Sequence, residues 1–323
     1  MFLRNRYNYL ALFFILYFLF IIFNFFSLQI LNINDSIEKI DRQTYVVFYL
    51  TAPRGEIYDI NKEKLVTSSL EPHLFINLRK INDDNINQYK QYLKYNFQEL
   101  KNTDFEDIFN SKELLYLVRN INDLDYLERQ SLLELDAFEI FDYPIRQYNY
   151  ENIASHIIGY IGRPTLEEFE AYPESIRNGI VGKSGVEKYY EEKLSGIAGQ
   201  IVFKGNEIID FTSPQPGEDL YLTIDIKTQR IVTESLIEGI KLANENFDSE
   251  NIIQKGSIVV LDIGSGAVIS MVSLPDFDPN KFVKGISTFD FNQLNRIDAF
   301  NNFAIQGLYP PGSVFKLVAY WLA

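Results

Sequence analysis

Near the end of the chain, Ser313-Val314-Phe315-Lys316 sets a hydroxyl and an amine three residues apart. On a helix, positions i and i+3 share one face, so the Lys316 amine comes within hydrogen-bond reach of the Ser313 hydroxyl. A serine so placed can act as an acyl-transfer nucleophile if the lysine takes its proton. The lysine must then be neutral for part of the time, a state favoured by burial in an apolar cleft near a helix N-terminus. Serine and lysine are common, and the bland reading is a capping serine beside a surface lysine. Ser36-Ile37-Glu38-Lys39 repeats the spacing in a polar stretch with no turn before it and no apolar helix after it. Context separates the two. Pro310-Pro311-Gly312 turns the chain and starts a helix at Ser313, and Leu317, Val318, Trp321 and Leu322 predict that this helix is buried.

Other chemistries are excluded more simply. Gly182-Lys183-Ser184 ends like a phosphate loop, but such a loop needs a glycine five positions earlier, where Arg177 stands. The chain has no cysteine and only two histidines, His73 and His156, so neither a disulfide framework nor a zinc centre is expected, and no cofactor is implied. Thirty basic against 44 acidic side chains give a formal charge of −14, which argues against a grip on nucleic acid.

The elements that must position Ser313 begin at a membrane. From Tyr9 to Phe26 every residue but Asn24 is apolar or aromatic, and with the residues to Leu31 the run reaches the ~20 needed to span a bilayer. Arg4 and Arg6 precede it and predict a cytoplasmic N-terminus, with the bulk of the chain beyond the cytoplasmic membrane. A cleaved signal peptide would show a shorter apolar run and a small-x-small cleavage site, which Ser27-Leu28-Gln29 does not offer. The expectation is a single-pass anchor in the lipid bilayer, with a polar stalk reaching residue 44.

Beyond it the pattern is α+β. Tyr45–Leu50 reads as a strand, Pro53-Arg54-Gly55 as a turn, and Glu56–Asp59 as a second strand, a hairpin-rich start. Residues 82–136 read as a small helical insertion, with Asp125-x-x-Glu128 as a capping box. One amphipathic helix is predicted from Val186 to Leu194, and Pro214-Gln215-Pro216-Gly217 suggests a domain boundary. A helix follows over Ile226–Leu242 with Val232, Leu236 and Ile240 on one side. Ser257–Leu261 and Ala267–Val272 form a hairpin around Asp262–Gly266, and Pro275–Asn302 reads as a long polar loop.

Several segments, in order, resemble the class B penicillin-binding proteins, and most closely their elongation-type branch, penicillin-binding protein 2. Arg54-Gly55-Glu56-Ile57-Tyr58-Asp59-Ile60-Asn61 is similar to the family's opening motif, departing at Ile60 and Lys62, where arginine and glycine are usual. His156–Arg163 and Gly182–Glu187, continuing through Tyr190-Glu191 to Gly196, resemble its pedestal signatures. Leu222–Asp225 with Gln229, Val260–Asp262 with Gly266 and Met271–Ser273, Phe277-Asp278-Pro279-Asn280 with Gly285–Ser287, and Ala304–Ser313 continue the match.

The resemblance implies residues 1–44 as tail, anchor and stalk, 45–216 as an elongated mixed α/β pedestal, or dimerisation-type, domain, and 217–323 as the first part of a transpeptidase domain. It implies a serine-type D,D-transpeptidase, with Ser313 as nucleophile and Lys316 as its base, acting on peptidoglycan stem peptides and acylated by β-lactams. A membrane-embedded glycan polymerase of the elongation machinery is the implied partner. The family's site also uses a Ser-x-Asn and a Lys-Thr-Gly motif after the nucleophile. Ser249-Glu250-Asn251 precedes Ser313 in an acidic loop, and Lys227-Thr228 is followed by Gln229, so neither serves. The expectation is therefore a C-terminally truncated chain, inactive alone, with an uncovered hairpin edge, an exposed Leu317–Leu322 run and low stability after Lys255. The alternative is a non-enzymatic, membrane-anchored pedestal protein docking on the same machinery.

Overall fold

The computed structural model describes residues 13–22, 45–100, 105, 109, 115–173, 175–205, 207–246, 252–283 and 285–322. Of the apolar N-terminal run, residues 13–22 are described; they are helical, with Phe13, Phe18 and Phe20 each 64% exposed. Among the described residues no helix is long and apolar enough to cross a membrane. The rest of that run, the Ser36 tetrapeptide and Ser249-Glu250-Asn251 lie outside the described residues.

Twelve strands are described: β1 (Tyr45–Leu50), β2 (Ile57–Tyr58), β3 (Lys64–Asn77), β4 (Leu115–Asn120), β5 (Phe138–Tyr148), β6 (Ile161–Gly162), β7 (Val181–Gly182), β8 (Gly199–Lys204), β9 (Glu207–Thr212), β10 (Leu220–Tyr221), β11 (Gly256–Leu261) and β12 (Val268–Leu274). The chain divides into two compact units. The smaller joins the residues up to Phe48 to Ile201–Phe211 around a three-stranded sheet in the order β1-β8-β9. Thus β1 does not pair with β2, as the hairpin-rich reading expected. Ala52 N–H donates to the Asn178 side chain and Gly55 N–H to the Leu194 carbonyl, and these bonds carry the connecting segment away from a hairpin.

The larger unit, Tyr49–Gln200 with Thr212–Ala323, is organised by β3. β5 pairs antiparallel with it from Val66↔Tyr148 to Ile76↔Phe138. The opposite side of β3 is shared by β2 at one end and β4 at the other, and β10 adds parallel to β2. The insertion is therefore not wholly helical, because the β-prone run Leu115–Asn120 pairs with β3 as β4. Among the described residues the helices Ile86–Asn96 and Tyr126–Leu133 belong to it, and Asp125 and Glu128 form the expected capping box. Tyr89 and Leu93 pack with Leu74, Ile76 and Phe138 in one core. A second core gathers Ile57, Leu65, Val66, Tyr148, Ile158, Leu194 and Ile226, so both halves of the unit share it.

The β2–β3 turn is held by Asp59, whose carboxylate accepts from the N–H groups of Asn61 and Glu63, both at 2.8 Å. Lys62 sits there with φ 64°, a left-handed conformation that strains any residue with a Cβ. The family motif that this segment resembles has glycine at this place. Lys62→Gly is expected to stabilise the fold by about 0.5–1 kcal/mol, seen as a higher urea midpoint with an unchanged slope; a lower midpoint would contradict it.

Two further expectations are corrected. The Val186–Leu194 helix is two short helices, Gly185–Tyr189 and Glu191–Leu194, broken at Tyr190, which leaves helical geometry at φ −106°, ψ 28°. Pro275–Asn302 is not a plain loop: it contains helices Asn280–Val283 and Thr288–Arg296, the second capped by Ser287.

Candidate functional site

Gly312, with φ 56°, opens a 3₁₀ turn over Gly312–Val314, and the helix Phe315–Leu322 follows. Ser313 lies in the turn and Lys316 in the first turn of the helix, so both occupy the helical start that the Pro-Pro-Gly sequence predicts. The burial that the apolar residues after Lys316 predict is not found, whereas the exposed Leu317–Leu322 run, also expected, is. Every described residue from Leu308 to Leu322 is exposed, with Leu317 at 74% and Trp321 at 85%. Among the described residues no hydrogen bond joins Ser313 to Lys316, and no dry cleft encloses them. Trp321 and its apolar neighbours bring the hydrophobic surface that burial requires, but no described element covers it.

The hairpin β11–β12 precedes this segment as a two-stranded antiparallel sheet. The far edge of β12 is partly covered. Thr223 Oγ donates to Val268 O, Asp225 N–H to Ile269 O, and the Gln229 side chain brackets the Met271 backbone. Further along β12, Ser273 Oγ donates to Asn301 O and accepts from Phe303 N–H. The chain leading to Ser313 is thereby anchored at residues 301–303.

The other motifs converge on a buried charged cluster. Arg54 donates to Glu187 and to both carboxylate oxygens of Glu191 at 2.8–3.2 Å. Arg146 on β5 donates to the second oxygen of Glu187 at 2.9 Å and to Gly55 O at 2.7 Å. The Tyr148 hydroxyl donates to Glu187 at 3.2 Å, and Gly182 N–H to Glu191 at 2.8 Å. Two arginines and two glutamates balance in charge, and each is at most 4% exposed. Burial would push the Glu187 carboxyl up, but Arg146 and Arg54 outweigh it and hold it below the ordinary glutamate value. Burial acts against the Arg54 guanidinium as well, and Glu187 and Glu191 more than restore it.

Glycines permit these approaches. A Cβ on Gly55 would lie 1.8 Å from the Glu218 carbonyl oxygen, and one on Gly182 2.1 Å from that of Glu187. Gly182-Lys183-Ser184 is thus a packing motif: its glycine lets β7 meet the Glu187 backbone, and Lys183 pairs with Glu168 at 2.5 Å. Arg54, Glu187 and Glu191 stand in segments that resemble family motifs, though their pairing was not read from the sequence, and Arg146 was missed altogether. Its signal is a lone cation between Ile145 and Tyr148 on an otherwise half-buried strand.

Comparison with known proteins sets this arrangement in a family. The model of the penicillin-binding protein dimerisation domain matches residues 49–222, more than half of the chain. The chain belongs to the penicillin-binding proteins. The model of the penicillin-binding protein transpeptidase domain matches residues 256–323. The chain is 27% identical over 317 residues to the peptidoglycan D,D-transpeptidase MrdA of Escherichia coli strain K12, covering 92% of this chain and 47% of that protein. It is 28% identical over 288 residues to penicillin-binding protein 3 of Bacillus subtilis, covering 86% and 41%. The fold is similar to that of penicillin-binding protein 2 of Helicobacter pylori, solved in complex with MreC, with TM-score 0.64 and 24% identity over 84% of this chain and 51% of that one. The chain therefore spans about half the length of the relatives it matches.

Within this penicillin-binding protein the two matched regions are joined by specific contacts. The segment between them is held as well, where Asp59, from the opening motif, accepts from Ile226 N–H at 3.3 Å at the start of the helix Ile226–Asn246. Asn280 brackets the end of β5, accepting from Tyr148 N–H and donating to Tyr148 O, both at 2.9 Å. His156 Nε2 lies 2.8 Å from the Ala299 carbonyl, so the ring donates from that nitrogen. Burial depresses the His156 pKa, with the Ala299 bond opposing, and burial raises that of Asp276, with the Asn152 bond opposing. Tyr160, Phe277, Phe282 and Phe300 complete the joint, the closest ring centroids 4.1 Å apart. The Phe277-Asp278-Pro279-Asn280 motif thus docks the start of the transpeptidase region on the dimerisation domain.

Proposed function

We propose that this chain carries the pedestal and the nucleophile segment of an elongation-type peptidoglycan D,D-transpeptidase. The supporting observation is that Ser313 and Lys316 stand one helical turn apart inside the region matched as a transpeptidase domain, which is docked on a matched dimerisation domain. In this reading the Ser313 hydroxyl attacks the carbonyl carbon of the penultimate D-Ala of a stem peptide, and its proton passes to Lys316. The amide bond to the terminal D-Ala breaks, and that residue leaves with a proton on its amine. An amine of a neighbouring stem peptide then attacks the ester, forming the cross-link and returning Ser313 to its hydroxyl form. β-Lactams acylate the same oxygen. Residues 9–31 anchor the protein in the cytoplasmic membrane, with the bulk of the chain outside the cytoplasm. The solved complex of the Helicobacter pylori relative supports an MreC-like partner, and the family resemblance supports a membrane-embedded glycan polymerase.

The exposure of Ser313 and Lys316 gives the reading its test. A fluorescent penicillin is expected to leave residues 1–323 unlabelled, and to label Ser313 once a Ser-x-Asn and a Lys-Thr-Gly segment complete the site. Label on residues 1–323 that saturates and is lost in Ser313→Ala would overturn the first half. Absence of label from the completed protein would overturn the second. The same exposure favours a second reading, in which these residues serve as a docking pedestal without chemistry; partner capture that survives removal of everything after Gly217 would support it.

A further inference from the structure

A small polar cavity lies at the joint between the two matched regions, apart from Ser313 and from the buried arginine–glutamate cluster. Asn152, Ser155 and His156 line it from the dimerisation domain, Thr233 from the helix Ile226–Asn246, and Ser273 and Asp276 from the transpeptidase region. Its volume is about 10 Å³. Ser155 opens the short helix Ser155–Ile158 and is 1% exposed, yet its hydroxyl makes no hydrogen bond among the described residues. The other two hydroxyls on the wall have committed their protons, Thr233 Oγ to the Gln229 carbonyl at 2.8 Å and Ser273 Oγ to that of Asn301 at 3.2 Å. Asp276 Oδ2 accepts from the Asn152 amide at 2.9 Å. With Nε2 donating to Ala299, Nδ1 of the neutral His156 ring is an acceptor.

A buried hydroxyl without a partner is costly, and alanine would fill nearly the same space without that cost. Buried polar groups are, with few exceptions, paired with protein or with ordered water. Here the wall offers one donor, Ser155, and acceptors at Asp276, Thr233 Oγ and His156 Nδ1, and Ser155 bonds to none of them directly. A group placed between them must accept once and donate twice, which is what water does. One water needs roughly 10–15 Å³ and two to four polar partners, and this cavity supplies both. Its size excludes a larger ligand. A metal cation would find too few oxygens, since hard cations take six or more, and among the described residues no group of three or more acidic or histidine side chains could hold one.

We propose that this cavity is a binding site for one ordered water, which accepts from Ser155 Oγ and donates to the Asp276 carboxyl and to Thr233 Oγ or His156 Nδ1. The water ties the dimerisation domain to the transpeptidase region beside the Asn152–Asp276 bond, and it needs no chemistry at Ser313. A crystal structure of the detergent-solubilised chain is expected to show a single water peak within about 3.2 Å of both Ser155 Oγ and an Asp276 oxygen. In Ser155→Ala that peak should be lost or drawn toward Asp276, and amide hydrogen exchange at residues 152–156 should quicken about tenfold while exchange within β4 stays unchanged. Because Ser155 Oγ has no protein partner among the described residues, that change reads the water bridge rather than a lost side-chain contact. No peak at this place, a peak with the shorter oxygen contacts of a cation, or a Ser155 hydroxyl bonded directly to Asp276 would overturn the proposal. So would unchanged exchange in Ser155→Ala. If that variant does not fold, the peak in the unsubstituted chain decides alone.

Discussion

Glu187→Ala is expected to destabilise the larger unit by about 3–5 kcal/mol, the usual cost of removing one partner from a buried ion pair. The reason lies in the charge count. Glu187 is 0% exposed and receives both guanidinium groups, so its loss leaves Arg54 and Arg146 facing only Glu191, with a net positive charge away from water. Against a total stability of about 5–15 kcal/mol, that is enough to unfold much of the population at physiological temperature. Glu187→Gln preserves shape but offers one acceptor oxygen and turns an N–H₂ toward the other arginine, so it should recover little. The double substitution Glu187→Leu with Arg146→Leu should cost less than the sum of its singles, because it removes a charge pair together. The pH dependence has a definite sign. The Glu187 carboxyl is held below its ordinary value of 4.5, so its contribution is fully present above that pH and is lost as pH falls through the folded value. Glu187→Ala should therefore shed part of the acid sensitivity of the unsubstituted protein. Urea unfolding at pH 7 and pH 4, followed by far-ultraviolet circular dichroism, measures both effects; a cost below about 1 kcal/mol at pH 7 would show that the cluster is not the pairing network described.

This cluster also shows how far the sequence could be read. The family signatures located Arg54, Glu187 and Glu191 and the glycines beside them, because close backbone approach leaves glycine at fixed places. They did not disclose the fold of the helices: Glu187 and Glu191 lie where an amphipathic reading puts its wet face, yet both point into the core, and the helix breaks at Tyr190 between them. The longest strand, β3, carries Thr67-Ser68-Ser69 and Glu71-Pro72-His73 in its middle, so neither alternation nor an apolar run marks it. Its 14 residues are fixed by partners far along the chain, β5 above all, and local propensity does not register such pairing. The helix Thr288–Arg296 escaped for a related reason: its aromatic residues Phe289 and Phe291 are spaced by two, and only the Ser287 cap signals it. At Ser313 the sequence specified the helical start, whereas its expected burial depended on neighbours that the described residues do not provide.

Gln229→Leu is expected to cost about 2–4 kcal/mol, because a buried side chain that pairs with the edge of β12 would be lost and its partners left unpaired. Gln229 is 1% exposed; its amide nitrogen donates to Met271 O at 2.9 Å, and its oxygen accepts from Met271 N–H at 2.9 Å and from Ser270 Oγ at 2.8 Å. The side chain thus supplies both halves of a β rung on the edge of β12 that faces away from β11. Leucine fills the volume but strands one N–H, one carbonyl and one hydroxyl. Gln229→Glu makes the sharper test. An ionised carboxylate there can still accept from Met271 N–H and Ser270 but confronts the Met271 carbonyl, whereas a protonated one can donate to it. Burial and that carbonyl should raise the folded pKa of the introduced acid, so any stability it confers is present below the unfolded glutamate pKa and lost as pH rises through the folded value. Relative to the unsubstituted protein at the same pH, Gln229→Glu should lie closer at pH 4 than at pH 8, and the Met271 amide should exchange faster at the higher pH. Because Ser273 on the same strand anchors residues 301–303, proteolysis between residues 285 and 322 should accelerate in parallel. A stability difference that does not change with pH would show that the amide nitrogen of Gln229 is not the donor on which this edge depends.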